Sequence, residues 1–241
     1  MTGTLINIVA VLIGGTLGTL LGARLPDKVR DTVMSGLGLV TIVLGLGMAL
    51  ESKNLLIVMG SVLVGGVLGE WWGIEDGLEA VGRWLESRFG RPDDAAAGRS
   101  ITRAFVTASL VFCVGPLTVV GSILDGLTGN YRPLAIKSML DGFASLAFGA
   151  SLGPGVLFSA ITILVYQGGL SLAARLLGSS LAGISAETPA VVEMGATGGV
   201  LIIGIGLILL DLKRVRVGNF LPAIVIAPIV VILLESFGIV W

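Results

Sequence analysis

Within residues 105–159 of an apolar chain lie two carboxylates, one lysine and two glycine–proline breaks. Gly115-Pro116 comes first, then Asp125-Gly126, then Asp141-Gly142, then Gly153-Pro154-Gly155. A charged side chain at mid-membrane costs about 2.5–3.5 kcal/mol on insertion scales, so each one in such a segment needs a compensating role. Lys137 stands four residues before Asp141, a spacing that puts both on one helix face and makes an ion pair feasible. Each acid is followed by a glycine, which lets backbone or ligand approach closely. The chemistry open to this set is binding, with Asp125 and Asp141 taking a cation, a proton or a cationic substrate. Two readings of these acids stand open: solvated helix ends, or groups facing a shared water-filled cavity.

Proline inside a helix removes the hydrogen bond to the carbonyl four residues back and kinks the helix. Pro116 would thereby free the carbonyl of Phe112. Broken membrane helices are tolerated where the freed backbone meets protein or a wet cavity, and transporters use such breaks as solute sites. Ser109, Thr118 and Ser122 surround the break and could line such a site; a packing kink is the plainer alternative. Gly153-Pro154-Gly155 reads either as a second break or as the turn between two helices. Gln167, next to Gly168-Gly169, is with Asn7 the strongly polar uncharged side chain at mid-span. It suits a cavity or an interhelical hydrogen bond. Cys113 sits in an apolar run and reads as a small core hydrophobe. Glu70, beside Trp71 and Trp72, and Glu235 read as interfacial anchors. Glu193 follows Thr188-Pro189 at a helix start, where the positive helix end favours an acid.

What must position these residues is a bundle of membrane helices. Hydrophobic residues make up 54% of the chain and charged ones only 13%, against roughly 25% charged in soluble domains; the mean hydropathy is +1.00. A net charge of −1 leaves no nucleic-acid footprint. The chain has no histidine, which removes the commonest catalytic base and metal ligand. Its single cysteine can form neither an internal disulfide nor a thiolate cluster, and no nucleotide-binding Walker sequence is present. The expectation is a protein that is not an enzyme and uses no cofactor or metal. The apolar run at the start lacks a preceding basic stretch and reads as a first membrane helix rather than a cleaved signal.

A span takes about 20 apolar residues. The apolar segments fall near 4–21, 33–50, 55–71, 102–124, 134–153, 155–176, 191–210 and 220–237. The expected fold is therefore an all-α polytopic membrane protein of about eight transmembrane helices, forming a single transmembrane domain over residues 1–241. Between the third and fourth spans, residues 74–89 alternate apolar and charged positions at helical spacing, the pattern of an amphipathic surface helix. Residues 91–100 then read as a linker. Eight spans place eleven of the 15 basic residues on the face that carries this helix, which makes that face cytoplasmic and puts both termini outside. An internal repeat agrees with an even count. Asn54 precedes Glu70 by sixteen residues, as Asn219 precedes Glu235. Gly45-Leu46-Gly47 before Glu51 has its counterpart in Gly204-Ile205-Gly206 before Asp211, and Gly14-Gly15 in Gly168-Gly169. Spans one to three thus pair with spans six to eight, and span four with span five. Every pair joins an odd span to an even one, which is an inverted-topology repeat of the kind found in secondary transporters.

The stretch from Phe105 to Leu127, then Leu134–Ala160, then Tyr166-Gln167-Gly168, resembles the YqgA/YdfK-type bacterial inner-membrane proteins. The opening Gly3–Gly18, the Leu68–Trp71 step and Val217–Pro222 fit as well, so the resemblance covers essentially the whole chain. It implies a bacterial plasma-membrane location and, the family being one of unknown function, no activity or site. The function expected from the residues is transport of a small solute or ion by alternating access. An ion channel and a non-transporting assembly or regulatory protein are the alternatives. Expected partners are the lipid bilayer, an unidentified solute or ion and, given the glycine-rich faces, a second copy of the chain.

Overall fold

The computed structural model describes residues 1–23, 25–90, 100–177, 185 and 187–238. The described residues are helical, with no strand among them. In chain order the α-helices are α1 (Thr2–Gly22), α2 (Asp27–Ala49), α3 (Leu55–Trp72), α4 (Ile74–Phe89), α5 (Ile101–Cys113), α6 (Pro116–Thr128), α7 (Arg132–Leu152), α8 (Ser159–Leu177), α9 (Pro189–Leu209) and α10 (Pro222–Ser236). Short 3-10 turns, Pro154–Phe158 and Val217–Phe220, precede α8 and α10. Of the linker read at 91–100, only Ser100 lies within the described residues.

Six helices are long and apolar enough to cross a membrane, and a seventh span arises if α5 and α6 count as one. Each of these two has 13 residues, too few to span alone, and they bend by 65° at the break between them. Gly115 provides the corner with a φ of 134°, a conformation L side chains rarely adopt. The helix α7 has 21 residues but is less apolar, being interrupted by Lys137, Asp141 and the serines at 138, 145 and 151. Gly153, at φ 93°, ends it, so Gly153-Pro154-Gly155 is the turn that leads into α8.

The chain forms two compact units. The first comprises residues 1–34, 78–113 and 117–183. In it α1 packs along α7 and also against α8, and α5 packs on α7 and α8. A Cβ added to Gly14, Gly18 or Gly22 would collide with the carbonyl oxygen of Gly142, Leu146 or Ala150 respectively. Close backbone approach of this kind is what small residues permit between membrane helices. The residue numbers rise together, so α1 and α7 run parallel.

The second unit comprises residues 35–77, 114–116 and 184–241. Here α3 packs on α9 and α10. Gly65 meets Ala223 and Gly69 meets Asn219, while Ile57 lies in a buried cluster with Ala227 and Val231. Numbers that rise on one helix fall on the other, so α3 and α10 are antiparallel. The same holds for α2 and α9, where Gly45 faces Gly199 and Gly38 faces Gly206.

The apolar stripe of α4 is divided rather than continuous. Leu85 and Gly82 are buried, Gly82 against Thr102, whereas Val81, Trp84 and Phe89 are exposed. One half of the stripe packs on protein; in the other, Phe89 lies against the Phe158 ring with centroids 5.1 Å apart while Val81 and Trp84 are exposed.

Candidate polar site around the first turns of helix α1

Helix α7 carries Lys137 and Asp141 one turn apart, and both are buried, 6% and 8% exposed. Their side chains form the ion pair that the i, i+4 spacing allows. Lys137 also donates through Nζ to the carbonyl oxygen of Phe112 at 2.8 Å. That is the carbonyl which the helix break deprives of its usual partner. Thr118 Oγ1 lies 3.5 Å from the same oxygen, and Ser122 donates to the Thr118 carbonyl at 2.5 Å. The bent α5–α6 segment is therefore tied to α7 through a charged hydrogen bond, the stronger class.

The other side of the pair is held by α1 and α8. Asn7, fully buried, donates through Nδ2 to Asp141 Oδ2 at 2.9 Å and to Gln167 Oε1 at 3.0 Å. Gln167 in turn donates to Thr4 Oγ1 at 3.4 Å. Asn7 Oδ1 is left buried with no hydrogen-bond partner among the described residues. Buried polar atoms are paired in the great majority of cases, so this one marks a place where the network has an acceptor to spare.

Asp125 takes other partners. Its Oδ2 accepts from the Gly3 backbone N–H at 3.0 Å and lies 3.0 Å from the Met1 amino nitrogen. Its Oδ1 is buried and has no hydrogen-bond partner among the described residues. Gly3 and Asn7 are four residues apart on α1, so the two carboxylates are anchored at levels about 6 Å apart along that helix. Asp125, Asp141, Lys137 and Gln167 are thus gathered around the first two turns of α1. Thr118 and Ser122 reach the group from α6. Ser109 does not join it, bonding instead to Thr162 at 2.9 Å. Gly115 and Pro116 shape the break.

Apart from these two aspartates, Glu193 is a buried acid that the sequence marks only as a helix-start residue. Glu193 lies in the second turn of α9, beyond the first turn, where no acid is found, so the helix end is not what holds it. It is fully buried and accepts from Ser52 Oγ at 2.7 Å, Lys53 N at 2.6 Å and Asn54 N at 3.1 Å. It ties α9 to the α2–α3 turn. Asn54 itself caps α3 through the Leu56 N–H at 3.0 Å. Replacing Glu193 with alanine would remove the carboxylate acceptor from three part-buried donors at once. The expected loss is at least about 1–3 kcal/mol, read as a lower melting temperature in detergent.

At the far end of α3, Glu70 accepts from Arg216 at 2.6 Å and Asn219 at 2.5 Å. The Glu75 carboxylate accepts from the Gly218 N–H at 2.6 Å, and the Glu75 backbone N–H donates to Asn219 Oδ1 at 2.7 Å. These bonds clamp the α3–α4 corner to the turn before α10. Trp71 and Trp72 remain exposed beside it, as an interfacial position requires.

Across residues 2–232 the chain matches the family described as protein of unknown function (DUF554). It is 28% identical over 242 residues to the uncharacterized membrane protein YdfK of Bacillus subtilis, covering 99% of each chain. It is 31% identical over 226 residues to the uncharacterized protein YqgA of Escherichia coli, covering 93% of this chain and 94% of that one. No solved structure matches. With its apolar helices and these whole-length relatives, the chain is a multi-pass membrane protein that belongs to the DUF554 family.

Proposed function

We propose that this protein is a secondary transporter of a small solute or ion. It works by alternating access across an inverted repeat, with its site at the broken helix of residues 105–159. The observation that carries this reading is the Lys137–Asp141 pair, buried in a helix bundle and bonded to the carbonyl freed by that break. Burying two charges is costly, and a buried pair is weak as a device for stability alone. Intramembrane charges that pair with one another and with backbone carbonyls mark solute and proton pathways. A pair so enclosed suits occlusion between two access states better than an open pore, which favours a transporter over a channel.

Helix directions support the repeat and the eight-span count. If spans alternate in direction, α7 as the fifth span must run parallel to α1, and it does. The proposed counterparts α2 and α9, and α3 and α10, must be antiparallel, and they are. A re-entrant α5–α6 would reverse α7 relative to α1, so the broken pair is read as one crossing. The counterparts also share units: α1 with α8 in the first, and α2 from residue 35 with α9, and α3 with α10, in the second. By the distribution of basic residues the surface helix α4 faces the cytoplasm and both termini lie outside the bacterial inner membrane. In this reading the chain catalyses no reaction.

Flux into proteoliposomes tests the site. Asp141→Asn keeps the volume and one acceptor for Lys137 but leaves its charge uncompensated, so a monodisperse, cooperatively melting preparation is required before its flux is read. The variant is expected to abolish flux, as is Asp125→Asn. Wild-type flux in both variants would remove the site from the account.

A further inference from the structure

The Lys137–Asp141 pair is closed on itself, and its neighbours are neutral: the Phe112 carbonyl on the lysine, the Asn7 amide on the aspartate. Any ligand that enters must separate the two charges. Removing one partner of a buried pair leaves the other uncompensated, which is strongly unfavourable. A lone cation at Asp141 would strand Lys137, and a lone anion at Lys137 would strand Asp141. A ligand bearing both charges strands neither, and it adds no net charge to the membrane interior.

We propose that the ligand of this site is a small zwitterion, an amine and a carboxylate on one short chain, that replaces both halves of the pair at once. The proposal rests on the reading of this network as the solute site. The ligand carboxylate takes the place of Asp141 at Lys137, which stays seated on the Phe112 carbonyl and has further N–H donors to offer. The ligand ammonium takes the place of Lys137 at Asp141. Its remaining N–H groups find Asn7 Oδ1, the buried acceptor that has no partner among the described residues and whose own amide already touches Asp141. That orphan atom selects an amine with N–H donors over a quaternary one. Beside the network, the atoms nearest a Cβ added to buried Gly168 are all side-chain ends, Met1 Cε at 3.3 Å, Thr4 Cγ2 at 3.7 Å and Leu164 Cδ1 at 3.8 Å, so admitting a ligand there displaces side chains rather than backbone.

The test is thermal denaturation of the purified full chain in detergent. The zwitterions are glycine, L-alanine, L-serine, β-alanine and γ-aminobutyrate. Methylamine and ethanolamine serve as lone cations, acetate and propionate as lone anions. At least one zwitterion is expected to raise Tm by about 2–4 °C or more near saturation, and its singly charged analogues to leave it unchanged. Lys137→Gln/Asp141→Asn removes both charges together and so keeps a satisfied, folded network; it is expected to lose that shift entirely. The proposal is overturned if no zwitterion shifts the wild type, if a singly charged analogue shifts it equally, or if the double variant responds as the wild type does. Flux separates this from the transporter reading. Zwitterion binding without flux would uphold the ligand and sink the transporter; flux of a singly charged solute without zwitterion binding would do the reverse.

Discussion

Replacing Lys137 alone with methionine is expected to destabilise the folded protein by about 3–5 kcal/mol. The double change Lys137→Met/Asp141→Leu should cost far less than that. The single variant leaves Asp141 buried with only the Asn7 amide to face it, and it takes from the Phe112 carbonyl its charged donor. What remains is a stranded negative charge and a weakened acceptor inside an apolar bundle. The double variant removes the ion pair as a unit, and hydrophobic replacement of whole buried pairs is often neutral or stabilising. The carbonyl then keeps Thr118 as its neighbour. Melting curves of the three proteins in one detergent measure the difference. If the single and double variants melt together, the pair is not what compensates either charge.

Gly18→Leu is expected to damage both stability and transport, although Gly18 touches no solute in this account. A side chain at that position meets the backbone of Leu146, which cannot rotate away as a flexible side chain can. Relief requires α1 to move off α7. That movement stretches the 2.9 Å bond from Asn7 to Asp141 and the 2.8 Å bond from Ser145 to the Val11 carbonyl. Overpacking of a tight contact costs about 1–3 kcal/mol, and displacement of the site by about 1 Å can cost about 10²-fold in rate. Gly60→Ala is the control. A Cβ there meets nothing within 4 Å, so the variant should match the wild type or gain slightly from better helix propensity. Equal behaviour of the Gly18 and Gly60 variants would show that the α1–α7 contact does not position the site.

Sequence made the local half of the site legible. Proline chemistry points to the Phe112 carbonyl as a freed acceptor, and helical spacing points to Lys137 and Asp141 as a pair. Both follow from rules that act within one helix. What the spacing does not carry is which side chain meets which across helices. Asn7 lies 134 residues from Asp141, and Glu193 lies 141 residues from Ser52. Neither pairing has a local signature; each depends on which glycine-lined faces come together. Asn7 stood out only as a polar residue inside an apolar helix, and Thr4 not at all, since threonine is ordinary in such segments. The apolar stripe of α4 shows the same limit. Its periodicity fixes a helix, while the division between a protein-facing half and an exposed half follows from Thr102 and its neighbours lying against Gly82.

Accessibility at the break tests alternating access most directly. Cys113 is the chain's single cysteine, so a Cys113→Ala background carries none. Thr118→Cys then places one thiol beside the Phe112 carbonyl, at a position fully buried in the structure. Right-side-out and inside-out vesicles are treated with a membrane-impermeant thiol reagent. Labelling from both faces is expected, because the site opens to each in turn. Labelling from one face only, or from neither, would contradict alternating access.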